Sequence, residues 1–444
     1  MKGSKLNLFE VTMIVVSFVI GMGIFRTPVN VARESTSVEM FFWVWILGGV
    51  AALCGALTYA EIGSRYPVTG GYYKIFSHCY HPSIAFAINC VILISNAASL
   101  AGVALIGSEY LTNVLFKDTL ATDTIKLAIA SSTILIFYGV NLLGLKASSR
   151  TQNVLTIIKI GMVLLLIGAL FTGDFVETGI KAITSTNSNN WSSTLKAFGI
   201  CLVAVSFTYG GYQQTINFGG EVKHASKNLP KGIFFGISII MLLYLGINYA
   251  YYKIIGYEAL KEAESVAAIL AGAIFGKNGF IIFSVLLFLS VLAYVNVLLM
   301  SNPRVMYAMS EEGVIPPIFK KRNSKTKVMT VSLSAFTAVC LLTLFYAQTF
   351  DEILNYIIFL DSIGMATSAA TIFILRKKTA HLDPKKIYRV KLYPLIPLIF
   401  IVSYLLAGTS IAINTPKAAL ISCIVFAVFF LLYFALRNTN PKKS

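Results

Sequence analysis

Two glycine breaks in apolar stretches carry the chemistry of this sequence. One is Gly21-Met22-Gly23; the other is Gly210-Gly211, just after Phe207-Thr208-Tyr209. Glycine gives up the most backbone entropy when held helical, so closely spaced glycines favour unwinding. Unwound backbone bares N–H and C=O groups that lipid cannot satisfy. It is tolerated at membrane depth only where it is buried in protein or lines a cavity. Matching breaks in the two halves of a polytopic chain point to the substrate site of a secondary transporter. For one break taken alone, a glycine kink or close helix packing explains as much. Lys159 is the one basic residue deep in a span. A central lysine costs roughly 2.5–3.5 kcal/mol on insertion scales, so it should face the bundle interior and have a use. Asn296 and Asp361 are intramembrane polar residues that either shape a pocket or bond neighbouring helices.

These groups need a helical membrane frame, and the composition supplies one. Hydrophobic residues make up 57% of the 444 and charged residues 12%, with a mean hydropathy of +0.76. Soluble domains carry about 25% charged residues. A span needs about 20 mostly apolar residues. Twelve stretches qualify: roughly 8–31, 40–62, 82–112, 124–144, 152–173, 193–221, 230–256, 279–301, 328–347, 353–375, 392–413 and 417–436. The net charge of +17 is divided among short loops and is no nucleic-acid signal. Lys and Arg number 25 on the side of the N-terminus and 10 on the other, which places both termini in the cytoplasm of a plasma-membrane protein. The basic runs Lys320-Lys321-Arg322 and Arg376-Lys377-Lys378 either touch anionic lipid or simply orient the chain. The first span lacks a small-residue cleavage pattern and runs on into Arg26-Thr27-Pro28, so it is read as part of the mature protein. Cys54, Cys79, Cys90, Cys201, Cys340 and Cys423 show no CxxC spacing and read as small apolar fillers. His78, His81, His224 and His381 fall in loops, which argues against a histidine proton relay. No cofactor or metal is expected.

Five spans separate the two breaks. Five is odd, so the second break opens a unit that enters the membrane from the opposite face. This gives inverted five-span repeats of about 7–173 and 193–375, joined by the polar stretch 184–193, within a ten-helix core of residues 1–375. A basic loop, 376–391, precedes two accessory helices over 392–436 and a tail, 437–444. The fold class is all-α, integral to the membrane and LeuT-like, with twelve spans and discontinuous helices one and six.

The residues at the breaks also resemble a known family. Ile20-Gly21-Met22-Gly23-Ile24-Phe25 is similar to the first-helix signature of amino acid–polyamine–organocation transporters. Phe207-Thr208-Tyr209-Gly210-Gly211-Tyr212, with Glu221, Lys223, Asn228, Pro230 and Lys231, resembles the sixth helix and following loop of their L-amino-acid-transporter branch. Tyr59-Ala60-Glu61-Ile62-Gly63 with Gly70-Gly71-Tyr72 is similar to the loop after helix two, and Arg304, Tyr307, Ala308, Met309, Gly313 and Pro316 to the loop after helix eight. Three departures stand out. Met22 replaces the serine common between the first two glycines. Residues 112–126 lack the cysteine that joins heteromeric members to a glycoprotein, so no such disulfide-linked partner is expected. Asp361 stands where a neutral polar residue is usual.

The resemblance implies a free amino acid as substrate. Its carboxylate needs unpaired N–H groups, offered by Met22, Gly23 and Ile24 beside Gly21 at a half-helix N-terminus. Its ammonium needs free carbonyls, offered by Phe207, Thr208 and Gly210 at a half-helix C-terminus. The resemblance makes Phe207 an aromatic lid, against an ordinary core phenylalanine. Tyr244 matches a tyrosine that approaches helix one, against a core tyrosine. Lys159 falls where sodium-coupled relatives hold a structural ion; its ammonium would tether helix five to helix one, against snorkelling to the interface. Glu61 and Glu109 lie nearer span ends and read as solvated or loop-tethered. The implied function is sodium-independent transport of neutral L-amino acids by alternating access, as an exchanger. Proton-coupled uptake and cationic amino acid or polyamine transport are the alternatives, and an amino acid sensor is the non-transport reading. A channel or a membrane enzyme finds no supporting motif.

Overall fold

The computed structural model describes residues 5–116, 123–171, 191–263, 266–346 and 350–439. Most of the polar linker 184–193, the middle of 112–126 and the end of the C-terminal tail lie outside the described residues. The architecture is helical throughout. Among the described residues, β pairing is limited to two isolated bridges, Leu6–Val222 and Thr69–Phe218.

The chain opens with α1 (Leu8–Val19). Its start is a capping box: Asn7 Oδ1 accepts from Glu10 N–H at 3.0 Å, and Glu10 Oε2 accepts from Asn7 N–H at 2.7 Å. Every residue from Val11 to Val19 is buried, as befits a helix that is apolar all round. After the first break comes α2 (Gly23–Glu34), bent 44° from α1. Then follow α3 (Val38–Arg65), a short α4 (Gly71–Cys79), α5 (Pro82–Leu115), α6 (Asp123–Leu142), α7 (Leu145–Ile167) and α8 (Trp191–Thr208). The second break leads into a 3-10 turn, Tyr212–Asn217. Beyond it lie α9 (Ala225–Ile255), α10 (Tyr257–Glu262), α11 (Val266–Phe275), α12 (Gly279–Glu311), α13 (Thr330–Phe345), α14 (Phe350–Lys378), α15 (Leu395–Asn414) and α16 (Pro416–Thr439).

Ten helices are long and apolar enough to cross a membrane, and α1 with α2 makes an eleventh span among the described residues. The one remaining stretch of the sequence reading, 328–347, is α13, with 16 residues. At 1.5 Å per residue it is about 24 Å long, short of the ~30 Å hydrocarbon core. Three helices, α4, α10 and α11, occupy what reads as loop in the sequence; α11 is strongly apolar but only 10 residues long.

The core is built around α1, which packs against α7, α9 and α12. The helix α15 is no bystander: it packs on α3, α8 and α14, with Phe400 fully buried and 6.0 Å from the Tyr59 ring. Outermost is α16, only 11% of whose apolar window is buried.

Candidate functional site at the paired helix breaks

The first break begins where Ile20, extended at φ −73° and ψ 90°, ends α1. Gly21 N–H turns back to Val19 O at 2.8 Å, and helical bonding resumes with Phe25 N–H to Met22 O at 3.1 Å. Met22 offers α2 no side-chain cap. The N–H groups of Met22, Gly23 and Ile24 are therefore left without a backbone acceptor among the described residues. They sit at the positive end of the α2 dipole, which favours an anion. Gly21, Met22 and Gly23 are all partly exposed.

The second break follows Thr208. Gly210 N–H bonds Phe207 O at 3.0 Å, and Gly211 takes φ +107°, a conformation that side chains rarely adopt. Gln213 Oε1 accepts from Gly211 N–H at 2.9 Å, so the break carries its own cap. A Cβ on Gly211 would lie 2.6 Å from Phe18 O. The second break is thus pressed against the last turn of α1.

Side chains bind the two breaks together. Tyr244 OH donates to Val19 O at 3.0 Å and lies 3.3 Å from Thr208 O. Its ring is held by Trp45 (centroids 6.0 Å apart) and Tyr209 (5.0 Å). Thr208 Oγ1 lies 2.8 Å from Thr27 Oγ1, which ties the end of α8 to α2. Lys159, fully buried on α7, donates from Nζ to Ile20 O at 2.6 Å and does not reach the interface. The Tyr244 and Lys159 contacts end on backbone carbonyls at the helix ends, where the regular helical bonding stops.

Of the residues singled out in the sequence, Gly21, Met22, Gly23, Ile24, Thr208, Gly210, Tyr244 and Lys159 gather at the breaks. Phe207 is partly exposed beside them, its ring 6.4 Å from Tyr404. Two details differ from a simple open slot. A Cβ on Gly23 would meet the Thr208 side chain at 3.1 Å, whereas nothing stands within 4 Å of one on Gly21. The carbonyls of Phe207 and Thr208 are already engaged, though a carbonyl has two lone pairs and can accept again.

Asn296 is not brought to the breaks. Its Nδ2 donates to Gln152 Oε1 at 2.7 Å and to Ser148 O at 3.2 Å, and its Oδ1 accepts from Asn141 at 2.9 Å. Gln152 also donates to Ala293 O at 3.1 Å, so this network laces α6, α7 and α12 together. Asp361, on α14, lines a polar cavity of about 30 Å³ with Asn96, Gln214, Asn217 and Asn302. Glu61 is fully buried rather than solvated. It accepts from Arg65 Nε (2.6 Å), from Arg376 Nε and Nη2 (2.8 and 2.7 Å) and from Val390 N–H (2.7 Å). Sequence reasoning passed over Thr27, Gln213 and Tyr404. Tyr404 OH donates to Ser206 O at 3.2 Å from α15. Thr27 alone carried a signal, being one turn beyond the first break.

Comparison with known proteins follows the same lines. The family model for amino acid permeases matches residues 6–436. The chain is 28% identical over 421 residues to the serine/threonine exchanger SteT of Bacillus subtilis, covering 93% of this chain and 92% of that one. It is 25% identical over 403 residues to the mouse large neutral amino acids transporter small subunit 2, covering 89% and 74%. It is 23% identical over 441 residues to the human Asc-type amino acid transporter 1, covering 97% and 82%. With its paired breaks and a family match along nearly its whole length, the chain belongs to the amino acid permease family.

Proposed function

We propose that this protein exchanges neutral L-amino acids across the membrane by alternating access, without sodium. The observation that carries the reading is the row of unpaired N–H groups at Met22, Gly23 and Ile24, set beside the end of α8 by the Tyr244 bridge. A carboxylate fits the N–H row, and an ammonium fits the carbonyls of Phe207, Thr208 and Gly210. Relatives named as exchangers and neutral amino acid transporters support the substrate class. In this reading the core forms two inverted repeats, about 7–173 and 193–375, with both termini in the cytoplasm. Lys159 takes the place of a structural cation, and Phe207 closes over the substrate. Gly21 leaves the open space in which a ligand approaches. Asp361 and its cavity shape side-chain preference. With no cysteine in 112–126, the protein works without a disulfide-linked subunit. It is a carrier and not an enzyme.

The deciding experiment is efflux of preloaded radiolabelled serine from proteoliposomes. Unlabelled neutral amino acids outside should accelerate efflux, and replacing sodium with choline should leave it unchanged. Efflux that runs equally fast into amino-acid-free buffer, or only under a pH gradient, would sink the exchange reading. Binding without any flux would point to a sensor.

A further inference from the structure

We propose that the protein binds a phosphate-bearing anion in a basic cavity of about 610 Å³ at the end of the bundle where α6 turns into α7 and α12 leads into α13. The side is cytoplasmic in the orientation proposed above, and that assignment rests on that reading. Lys5, Lys146, Arg304, Arg322, Lys325 and Lys327 line the cavity, with Glu221 as the one carboxylate. Glu221 is spent on Arg304, whose Nε donates to its Oε2 at 2.9 Å. Arg322 lies over the Tyr307 ring, 4.4 Å from its centroid. Among the described residues no carboxylate pairs with Lys5, Lys146, Lys325 or Lys327.

The loop that carries Lys325 and Lys327 has a fixed backbone. Asn323 Oδ1 accepts from Lys325 and Thr326 N–H at 2.9 and 3.0 Å, Asn323 N–H bonds Val328 O at 2.8 Å, and Lys327 sits at φ +60°. This loop is seated on the α6–α7 turn: Gly144, at φ +105°, would place a Cβ 3.1 Å from Thr326 O. Two helix N-termini open on the same cavity. Neither Gly144 before α7 nor Met329 before α13 supplies a side-chain cap. Uncapped N–H groups at two positive dipole ends, beside a cluster of unpaired ammonium groups, form an anion receptor. Without an anion those like charges repel one another. A bound phosphate would also link the N-terminal strap to both loops, since Leu6 N–H bonds Glu221 O at 2.8 Å. Leu143, 70% exposed at the rim, places the cavity beside the apolar surface of α6, where a phospholipid headgroup arrives as readily as a soluble phosphate.

The test is thermal unfolding of the full chain in detergent with added phosphatidylglycerol, phosphatidylcholine or inorganic pyrophosphate. A saturable rise in melting temperature with phosphatidylglycerol alone identifies a lipid headgroup; a rise with pyrophosphate identifies a soluble phosphate. The Lys146→Gln/Lys325→Gln/Lys327→Gln variant should weaken the apparent affinity at least about tenfold. Lys377→Gln/Lys385→Gln/Lys386→Gln, which removes equal charge from the exposed end of α14 and the loop after it, should leave it intact. Without ligand the first variant should melt no lower than its parent, because it removes repulsion. No rise with either anion, equal loss in both variants, or a lower melting temperature of the unliganded first variant would overturn the proposal. The readout needs neither transport nor a membrane orientation, so its failure is separate from failure of the exchange reading.

Discussion

Gly23 and Lys159 show what single residues can be asked. A side chain at Gly23 meets Thr208 before it meets any ligand. Gly23→Val should therefore abolish amino acid binding, and the double variant with Thr208→Ala separates two causes. If the loss were packing alone, the double variant would bind again. If a carboxylate sits against the Gly23 N–H, valine still blocks it and binding stays lost; isothermal titration with serine decides. Lys159→Ala leaves the buried Ile20 O without its partner, a cost of about 1–3 kcal/mol. Exchange should slow by about 5- to 100-fold, since each 1.4 kcal/mol is a factor of ten, while serine affinity changes much less, because the ammonium bonds the Ile20 carbonyl and not the N–H row at the start of α2. Equal loss in both would place Lys159 in direct contact with substrate. Lys159 was legible in the sequence because a lone charge in an apolar span must find a partner. Tyr404 was not: a tyrosine among aliphatic residues has no pattern that distinguishes a helix-end donor from core, and its partner lies 198 residues away.

At the scale of elements, the two breaks differ in what enforces them. The first unwinds beside space; the second is fixed by the positive φ of Gly211 and its approach to Phe18 O. Gly211→Ala should cost about 1–3 kcal/mol in backbone strain alone, with the 2.6 Å contact added. Gly210→Ala, whose Cβ would be 3.1 Å from Phe207 O, should be milder. Melting temperatures of the two variants check the order, and equal values would remove the strain argument. A second element-level device is the Glu61 clasp, which joins α3 to α14 and to the segment before α15. Glu61→Gln leaves two guanidinium groups facing a neutral amide. Breaking a buried pair this way costs about 3–5 kcal/mol, and the melting temperature should fall accordingly. Element existence was readable from hydropathy because spans are long and apolar. The helices α4, α10 and α11 were not, since 6 to 10 residues between spans leave too few turns for a periodic signal. The capture of Asn296 by Gln152 and Asn141 was also hidden, because depth in a span says nothing about which face a side chain takes.

The whole molecule separates a closely packed bundle from its outer wall, and the two C-terminal helices differ in how far they enter it. Residues 392–436 read as one accessory pair; of the two, α15 reaches the end of α8 beside the second break. Tyr404 bonds the last turn of α8, and Phe400 packs into α3 opposite Tyr59. In contrast, α16 touches α5 and α14 mainly through residues such as Tyr433, whose ring is 6.0 Å from Phe86. Lipid tails are as apolar as the side chains that α16 presents, so removing it exchanges helix packing for lipid packing. Removing α15 instead strands the Ser206 carbonyl and opens the side of α8 next to the second break. A chain ending at Thr415 should therefore insert, melt a few degrees lower and keep amino-acid-accelerated efflux. A chain ending at Pro394 should lose that efflux even where it inserts. Comparable exchange from both truncations would show that α15 is accessory after all, and that the second break holds its shape without Tyr404.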